Sequence, residues 1–335
     1  MRHADVPSPL VDRFGRVHTD LRVSLTDRCN LRCAYCMPAE GLDWLPKAGL
    51  LTDDEVVRLV STATRRLGIT EVRLTGGEPL LRRGLPALVA RLTALDPAPE
   101  LSLTTNGIGL ARCAGALREA GLSRVNVSLD TLRPERFAAL TRRDRLSDVL
   151  DGLAAAHAAG LAPVKVNAVP VRGVNDDEIA GLAAFAVERG YRMRFIESMP
   201  LDAQGAWERD RMVTAEEILD RLGRRFDLVP VERQDHAPAE EWRIAGTDAR
   251  VGVIASVTRP FCGGCDRVRL TADGQLRTCL FATEESDLRA LLRGGADDDA
   301  LEAAWRTALA GKGPGHAIGS PEFRRPDRPM SAIGG

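Results

Sequence analysis

Six of the seven cysteines fall into two tight groups, Cys29-x3-Cys33-x2-Cys36 and Cys262-x2-Cys265-x13-Cys279, and Cys113 stands alone. Three thiolates on one short loop can hold three corners of a cubane iron–sulfur cluster. A cubane takes four ligands, so one iron would stay open for a small molecule. Zinc would need a fourth protein ligand, which the first loop does not supply. The second group leaves two readings open. His316 is the one candidate in the tail that could complete a three-cysteine-plus-histidine zinc site. A cubane with an open iron is the other, and that iron has a use in gripping a substrate nitrogen. An odd number of cysteines, clustered in this way, favours ligands over disulfides in a reduced compartment. Cys113, inside a helical pattern, reads as a buried thiol.

The other chemistry-bearing residues are cationic. Of 46 basic residues only Lys47, Lys165 and Lys312 are lysines. Lys165 lies on an apolar strand, where a compact charge in an arginine-biased chain stands out. Gly311-Lys312-Gly313 is not a phosphate loop, since it lacks the following Ser/Thr and the upstream glycine spacing. No G-x-G-x-x-G opens a helix after a strand. Any nucleotide phosphates must therefore be held by fixed cations, and the arginine fork suits that task.

These groups need a scaffold, and its rhythm is legible. Strand patterns at Leu21–Leu25, Glu71–Thr75, Leu101–Thr104, Arg124–Leu129, Pro163–Val169 and Tyr191–Glu197 alternate with helical ones. The helical patterns are Asp53–Leu67, Leu85–Leu95, Leu110–Ala120, Ser147–Ala159 and Asp176–Arg189. Thr52 with Glu55 forms a capping box, and Gly68, Gly121, Gly160 and Gly190 mark helix ends. Such repeats imply a parallel sheet. Six strands are two short of a closed eightfold barrel, so the expected fold is α/β: a partial, six-strand TIM-type parallel barrel over residues 21–200. Residues 1–20 read as an N-terminal extension. Residues 201–335, with shorter strands, two helices and a Gly-Gly tail, read as a smaller C-terminal α+β domain. The first cysteine group follows the first strand, at the end where such barrels keep their chemistry.

The 335 residues carry a net charge of −1, which disfavours a nucleic-acid or membrane-surface binder. No apolar run approaches a membrane span, and Met1–Asp20 has no signal-peptide core, so a cytoplasmic protein is expected.

The first cysteine group, with Tyr35 before its last cysteine, resembles the radical S-adenosylmethionine (SAM) signature. Thr75-Gly76-Gly77-Glu78-Pro79 is similar to that superfamily's segment for the SAM amino group. Ser128, ending the fourth strand, and Met199, after the sixth, resemble further SAM contacts. The resemblance narrows to the GTP 3′,8-cyclase family over nearly the whole chain. It is carried by Val23 to Pro38, Thr104-Thr105-Asn106-Gly107, Arg194 to Met199, Cys262 to Gly274, Leu276 to Phe281 and the terminal Ile333-Gly334-Gly335.

The resemblance implies two [4Fe-4S] clusters, held by Cys29, Cys33 and Cys36 and by Cys262, Cys265 and Cys279. It implies SAM beside Tyr35, Gly77, Glu78, Ser128 and Met199. GTP would lie against Arg22, Arg73, Thr104, Lys165, Arg194, Arg267, Val268 and Arg269, with Gly334 and Gly335 threading into the cavity. The implied reaction is removal of the C3′ hydrogen of GTP by a 5′-deoxyadenosyl radical and closure of C3′ on guanine C8. No side chain is singled out as a catalytic acid or base. The product, 3′,8-cyclo-7,8-dihydro-GTP, opens molybdenum-cofactor biosynthesis. Implied partners are an electron donor such as flavodoxin or ferredoxin, the downstream cyclic pyranopterin monophosphate synthase, and a second copy in a homodimer. Two departures stand out: Asp266 where the family usually has asparagine, and Glu71 where some relatives have lysine. Weaker phosphate attraction is the most they should cause.

Overall fold

The chain, seen in a computed structural model, is described over residues 8–233 and 237–334. It opens with a short antiparallel hairpin of β1 (Leu10–Val11) and β2 (Val17–His18). Six strands then alternate with helices: β3 (Asp20–Ser24), β4 (Glu71–Thr75), β5 (Glu100–Thr105), β6 (Arg124–Ser128), β7 (Lys165–Ala168) and β8 (Arg192–Ile196). Later come β9 (Leu228–Pro230), β10 (Glu240–Ile244), β11 (Arg250–Ile254), β12 (Arg267–Leu270), β13 (Gln275–Arg277) and β14 (Ser286–Asp287).

The connecting helices are α1 (Asp53–Leu67), α2 (Leu85–Thr93), α3 (Ala114–Glu119), α4 (Pro134–Thr141), α5 (Leu146–Ala158) and α6 (Ile179–Glu188), followed by α7 (Ala215–Gly223). The expected capping box starts α1, where Thr52 accepts from the Glu55 N–H and Glu55 from the Thr52 N–H. Gly68 ends it in the left-handed region, at φ 73°. The pattern over Leu110–Ala120 breaks in two, a 3-10 turn and then α3, with Cys113 between them at φ −131°. Helix α4 carries no glycine stop; Arg142 closes it at φ 57°, and its sequence pattern was too short to single out.

The fold is α/β with a mostly parallel sheet. All strands after the hairpin share one sheet, in the order β14-β13-β12-β3-β4-β5-β6-β7-β8-β11-β10-β9. The strands described after residue 200 thus join the sheet of the first six. β12 joins β3 in parallel at one edge and β11 joins β8 in parallel at the other. Eight consecutive strands thus run parallel, two more than the βα rhythm showed. The two additions arrive from far along the chain, so no local period announces them.

Strands covered on both faces should read as unbroken apolar runs. Here they alternate. Leu21, Val23, Val72, Leu74, Leu101, Leu103, Val125, Val127, Val166, Met193, Phe195, Val251, Val253 and Val268 are fully buried in the core cluster. Their neighbours in each strand are Arg22, Arg73, Ser102, Thr104, Asn126, Lys165, Asn167, Arg194 and Arg269. Successive side chains point to opposite faces, so one face packs on the helices and the other carries polar and cationic groups. This second, inner face positions the site.

Candidate active site

The first cysteine group lies just past the carboxyl end of β3. Gly77 lets the next strand's loop press against it: a Cβ there would lie 2.4 Å from the carbonyl oxygens of Asp27 and Arg28. A Cβ on Gly76, at φ 151°, would lie 2.5 Å from the Thr26 carbonyl. The Gly77 N–H donates to Thr26 and the Glu78 N–H to Arg28, so the two loops are laced together. Cys29, Cys33 and Cys36 open onto one cavity of about 240 Å³, with Tyr35, Gly77, Thr104, Ser128 and Met199 on its walls.

Burial pushes the Cys33 thiol well up, with Cys36 and Asp130 adding to it, and burial raises Cys36 to about 12. Cys29 is raised by burial as well. Three such thiols ionise together only beside a strong positive charge, which iron supplies. Cys29 has weak sulfur contacts only, from the Leu31 N–H at 3.5 Å and Asn106 Nδ2 at 3.8 Å. Ser331 and Tyr35 are hydrogen-bond partners of Cys36 and Cys33, and three buried thiols around one cavity are the donor set a cluster needs.

Glu78 departs from expectation. It is fully buried and its carboxylate is already taken: Oε1 accepts from Leu80 N–H (3.0 Å) and Thr105 Oγ1 (2.7 Å), Oε2 from Asn106 N–H (2.7 Å). Burial pushes it up to about 7. It ties the Gly76-Gly77 turn to Thr105 and Asn106, which line the cavity where Glu78 itself does not. Tyr35 donates to Asp130 Oδ2 at 2.5 Å, and Val169 N–H donates to Oδ1 at 2.8 Å, pinning the cysteine loop across β6 and β7. Asp130 and Asn106 escaped the sequence reading as site residues; both follow strand ends, which was the available signal.

The second group sits at the other end of the strands. Cys262 and Cys265 lie on the loop between β11 and β12, and Cys279 follows β13. With Arg267, Arg269, Phe281, His316 and Met199 they line a cavity of about 80 Å³. His316 is in place but spent: Nδ1 accepts from the Ile318 N–H (3.1 Å), so Nε2 carries the proton and donates to the Ser256 carbonyl (2.8 Å). No lone pair is left for a metal, which removes the fourth ligand a zinc site would need. Met199 follows β8 yet touches this cavity as well as the first. Five strands separate β8 from β12 in sheet order, so the sheet curls to bring them together.

Cations line the inner face between the two cavities. Arg22 and Arg73 approach Asp20 at 3.9 and 4.0 Å. Burial would raise the Asp20 carboxyl, but Arg22, Arg73, Arg267 and Arg269 around it hold it below the usual range. Burial, then Arg73, pulls Arg22 well below the ordinary guanidinium range, and burial lowers Arg194 to about 9 and Arg269 to about 10. Lys165 is lowered to about 7, by burial first and then by Arg194, Arg124 and Arg73. Like charges this close, with Arg22 Nε and Arg267 Nε left without a hydrogen-bond partner, make a site for a polyanion. Arg194 is braced by Asn167 (2.9 Å) and Asn126 (2.8 Å); those two asparagines were likewise unforeseen, although both interrupt apolar strands.

Val268 is the second correction. Its side chain is fully buried in the helix-packed core between the inward-facing Arg267 and Arg269, so only its backbone can face a ligand. Gly334 lies beside Ser24 and Thr75, while Gly335 lies outside the described residues. Of the two departures, Glu71 pairs with Arg124 at 2.8 Å, and the Asp266 carbonyl accepts from Thr19 and Asp20 N–H.

Residues 23–186 match the Radical SAM superfamily, and residues 191–318 match Molybdenum Cofactor Synthesis C. The GTP 3′,8-cyclase of Streptomyces coelicolor is 64% identical over 97% of this chain and 96% of its own length. GTP 3′,8-cyclase 2 of Mycobacterium tuberculosis is 60% identical, covering 98% of this chain and 92% of its own. Among solved structures, Streptococcus suis SuiB bound to S-adenosylmethionine superposes with a TM-score of 0.63 at 14% identity, over 89% of this chain and 68% of its own. Native anSMEcpe with bound AdoMet gives 0.58 at 16%, over 84% and 82%. At these identities the two structures are similar in fold.

Proposed function

This chain belongs to the GTP 3′,8-cyclase family, and from that premise we propose that its inner face holds GTP between two [4Fe-4S] clusters. The protein is a radical SAM enzyme that converts GTP to (8S)-3′,8-cyclo-7,8-dihydroguanosine 5′-triphosphate, the first step of molybdenum-cofactor biosynthesis. In this reading Cys29, Cys33 and Cys36 hold the cluster that binds SAM, and Cys262, Cys265 and Cys279 hold the one that grips guanine. The observation that carries it is the pair of cysteine trios at opposite ends of one polar inner face, with Met199 bordering both cavities. From Ser24 at one end of β3 to Asp20 at the other is four residues, roughly 13 Å, a span that suits a nucleotide.

Loaded, the first cluster would supply one electron to SAM and with it the radical chemistry that moves the C3′ hydrogen to 5′-deoxyadenosine and joins C3′ to C8, a second electron from the reductant and a proton completing the dihydroguanine. The protein's own work is placement. Gly76 and Gly77, without side chains, let the backbone come close to the SAM amino group, Ser128 and Met199 flank it, and Tyr35 fixes the loop. Arg22, Arg73, Arg194, Arg267 and Arg269 take the triphosphate as preformed cations, which need no rearrangement when the anion enters, and Lys165 completes the set once the anion favours its charged form. Thr104 sits with them, and Gly334 narrows the chamber between Ser24 and Arg269 so that the radical meets C3′ and not water.

The six strands of residues 21–200 are the partial barrel of this reading, residues 201–335 carry the second trio, and residues 1–20 precede both. The reading calls for a one-electron donor such as flavodoxin or ferredoxin in the cytoplasm, with cyclic pyranopterin monophosphate synthase consuming the product. No helix among the described residues is long and apolar enough to cross a membrane. The test is anaerobic incubation of the reconstituted enzyme with SAM, dithionite and GTP. Formation of 5′-deoxyadenosine together with the cyclised nucleotide supports the reading; SAM cleavage that no GTP concentration couples to that product sinks it.

A further inference from the structure

Lys312 was set aside as the centre of a false phosphate loop, yet it is 3% exposed, an unusual place for an ammonium. It does not line the second cavity, so it is not one of the cations that meet substrate. Its Nζ instead lies 3.9 Å from Cys265 Sγ, on the side away from the chamber, and donates to the Arg267 carbonyl at 2.9 Å. His18 faces it with Nδ1 at 3.4 Å. An ammonium can only donate, so Nδ1 accepts and His18 Nε2–H donates to Asp12 Oδ2 at 3.0 Å.

Asp12 is itself gripped by Arg16 at 2.6 Å. Arg16 then reaches over to the carbonyls of Cys262 (2.7 Å), Gly313 (2.7 Å) and Pro314 (3.0 Å). Residues 12 to 18, seemingly an extension, thus clasp both the cysteine loop and the segment that carries the lysine. Burying a charge is costly unless it is matched by an opposite charge and hydrogen bonds. Asp12 is shared with Arg16, which leaves a thiolate as the opposite charge nearest to Lys312.

We propose that Lys312 is a positioning residue of the second cluster: its ammonium, held by the N-terminal hairpin, donates to the Cys265 sulfur and offsets the negative charge of the cluster. The inference rests on the reading that the second trio holds a cubane. Charge and hydrogen bonds to sulfur set cluster potentials. A fixed cation stabilises the reduced, more negative state, so removing it makes the second cluster harder to reduce. The first cluster, at the other end of the strands, should not respond.

The test is an EPR-monitored redox titration of the full, anaerobically reconstituted chain, with iron counted per chain, for wild type, K312M and K312R. Methionine keeps the stem's bulk without charge or donor. At a fixed potential, the reduced-to-oxidised ratio of the second cluster is expected to fall about tenfold in K312M, equivalent to about 59 mV for one electron. K312R should stay near wild type, and the first cluster should be unmoved throughout. An unshifted second cluster in K312M, or equal shifts of both clusters, overturns the proposal. Should K312M lose the second cluster's iron, K312R decides: retained iron at the wild-type ratio supports the role of charge, and iron lost there too overturns it. Wild type with only one cluster would sink the two-cluster reading itself, an outcome distinct from these.

Discussion

Arg269 donates to the carbonyl of Gly334 over 2.5 Å, joining a strand of the inner face to the chain's last described residue. The contact fastens the tail over the place where the Ser24 and Thr75 side chains meet it. Gly334 holds φ 87°, and a Cβ there would lie 2.9 Å from that of Ser24, so alanine is excluded by both backbone and space. Gly334→Ala should therefore displace the tail with both clusters intact. Cyclisation is expected to fall on the order of 10²-fold, the usual penalty for misplacing reactants by an ångström, while 5′-deoxyadenosine still forms. Product analysis beside an iron count distinguishes this from cluster loss, and full cyclisation would make the tail irrelevant.

The two trios should separate by mutation. Cys29→Ala is expected to abolish SAM cleavage altogether, whereas Cys279→Ala should leave uncoupled cleavage and lose the cyclised product. Chromatography of 5′-deoxyadenosine and of the nucleotide measures both. Normal cyclisation by Cys279→Ala would remove the second trio from the reaction.

Gly77→Ala places a methyl 2.4 Å from two carbonyl oxygens of the segment leading into Cys29. Backbone cannot yield as a flexible side chain can, so the loop must move. The expected result is a loss of about four irons per chain with the second cluster kept, read by iron analysis and EPR of anaerobic protein.

Lys165 sets a pH dependence. Burial and its arginine neighbours hold its ammonium down to about 7 from 10.5, so above pH 7 the free enzyme carries it largely neutral. A bound triphosphate favours the charged form, raising the pKa, and binding at higher pH must therefore take up a proton. Calorimetry of GTP binding in buffers of different ionisation enthalpy should show uptake rising towards about one proton per GTP between about pH 7 and 9. Lys165→Met should lose that uptake and bind GTP more weakly. Because it also removes a desolvated charge, it should melt at a higher temperature without GTP. Equal uptake by the variant would assign the proton elsewhere.

The cysteine trios, the glycine turn and the six-strand rhythm were legible because each rests on local spacing. A loop brings Cys29, Cys33 and Cys36 together whatever surrounds it, and a period of two in a strand separates Val72 from Arg73 on any sheet. Val268 was counted with Arg267 and Arg269 on the family resemblance, and the structure puts its side chain on the opposite, core-facing side of the strand. Glu78 has the right chemistry for an ammonium. Only packing shows that its oxygens accept from Leu80, Thr105 and Asn106.

Contacts between distant parts of the chain were beyond any local pattern. That β11 and β12 extend the sheet at opposite edges, that His316 spends both nitrogens within the protein, and that Lys312 backs onto Cys265 each depend on segments meeting in space after the chain folds. Spacing decides which atoms one loop can offer together. The burial of a whole apolar face decides which loops meet, and with them which charges lose their water and must find a partner.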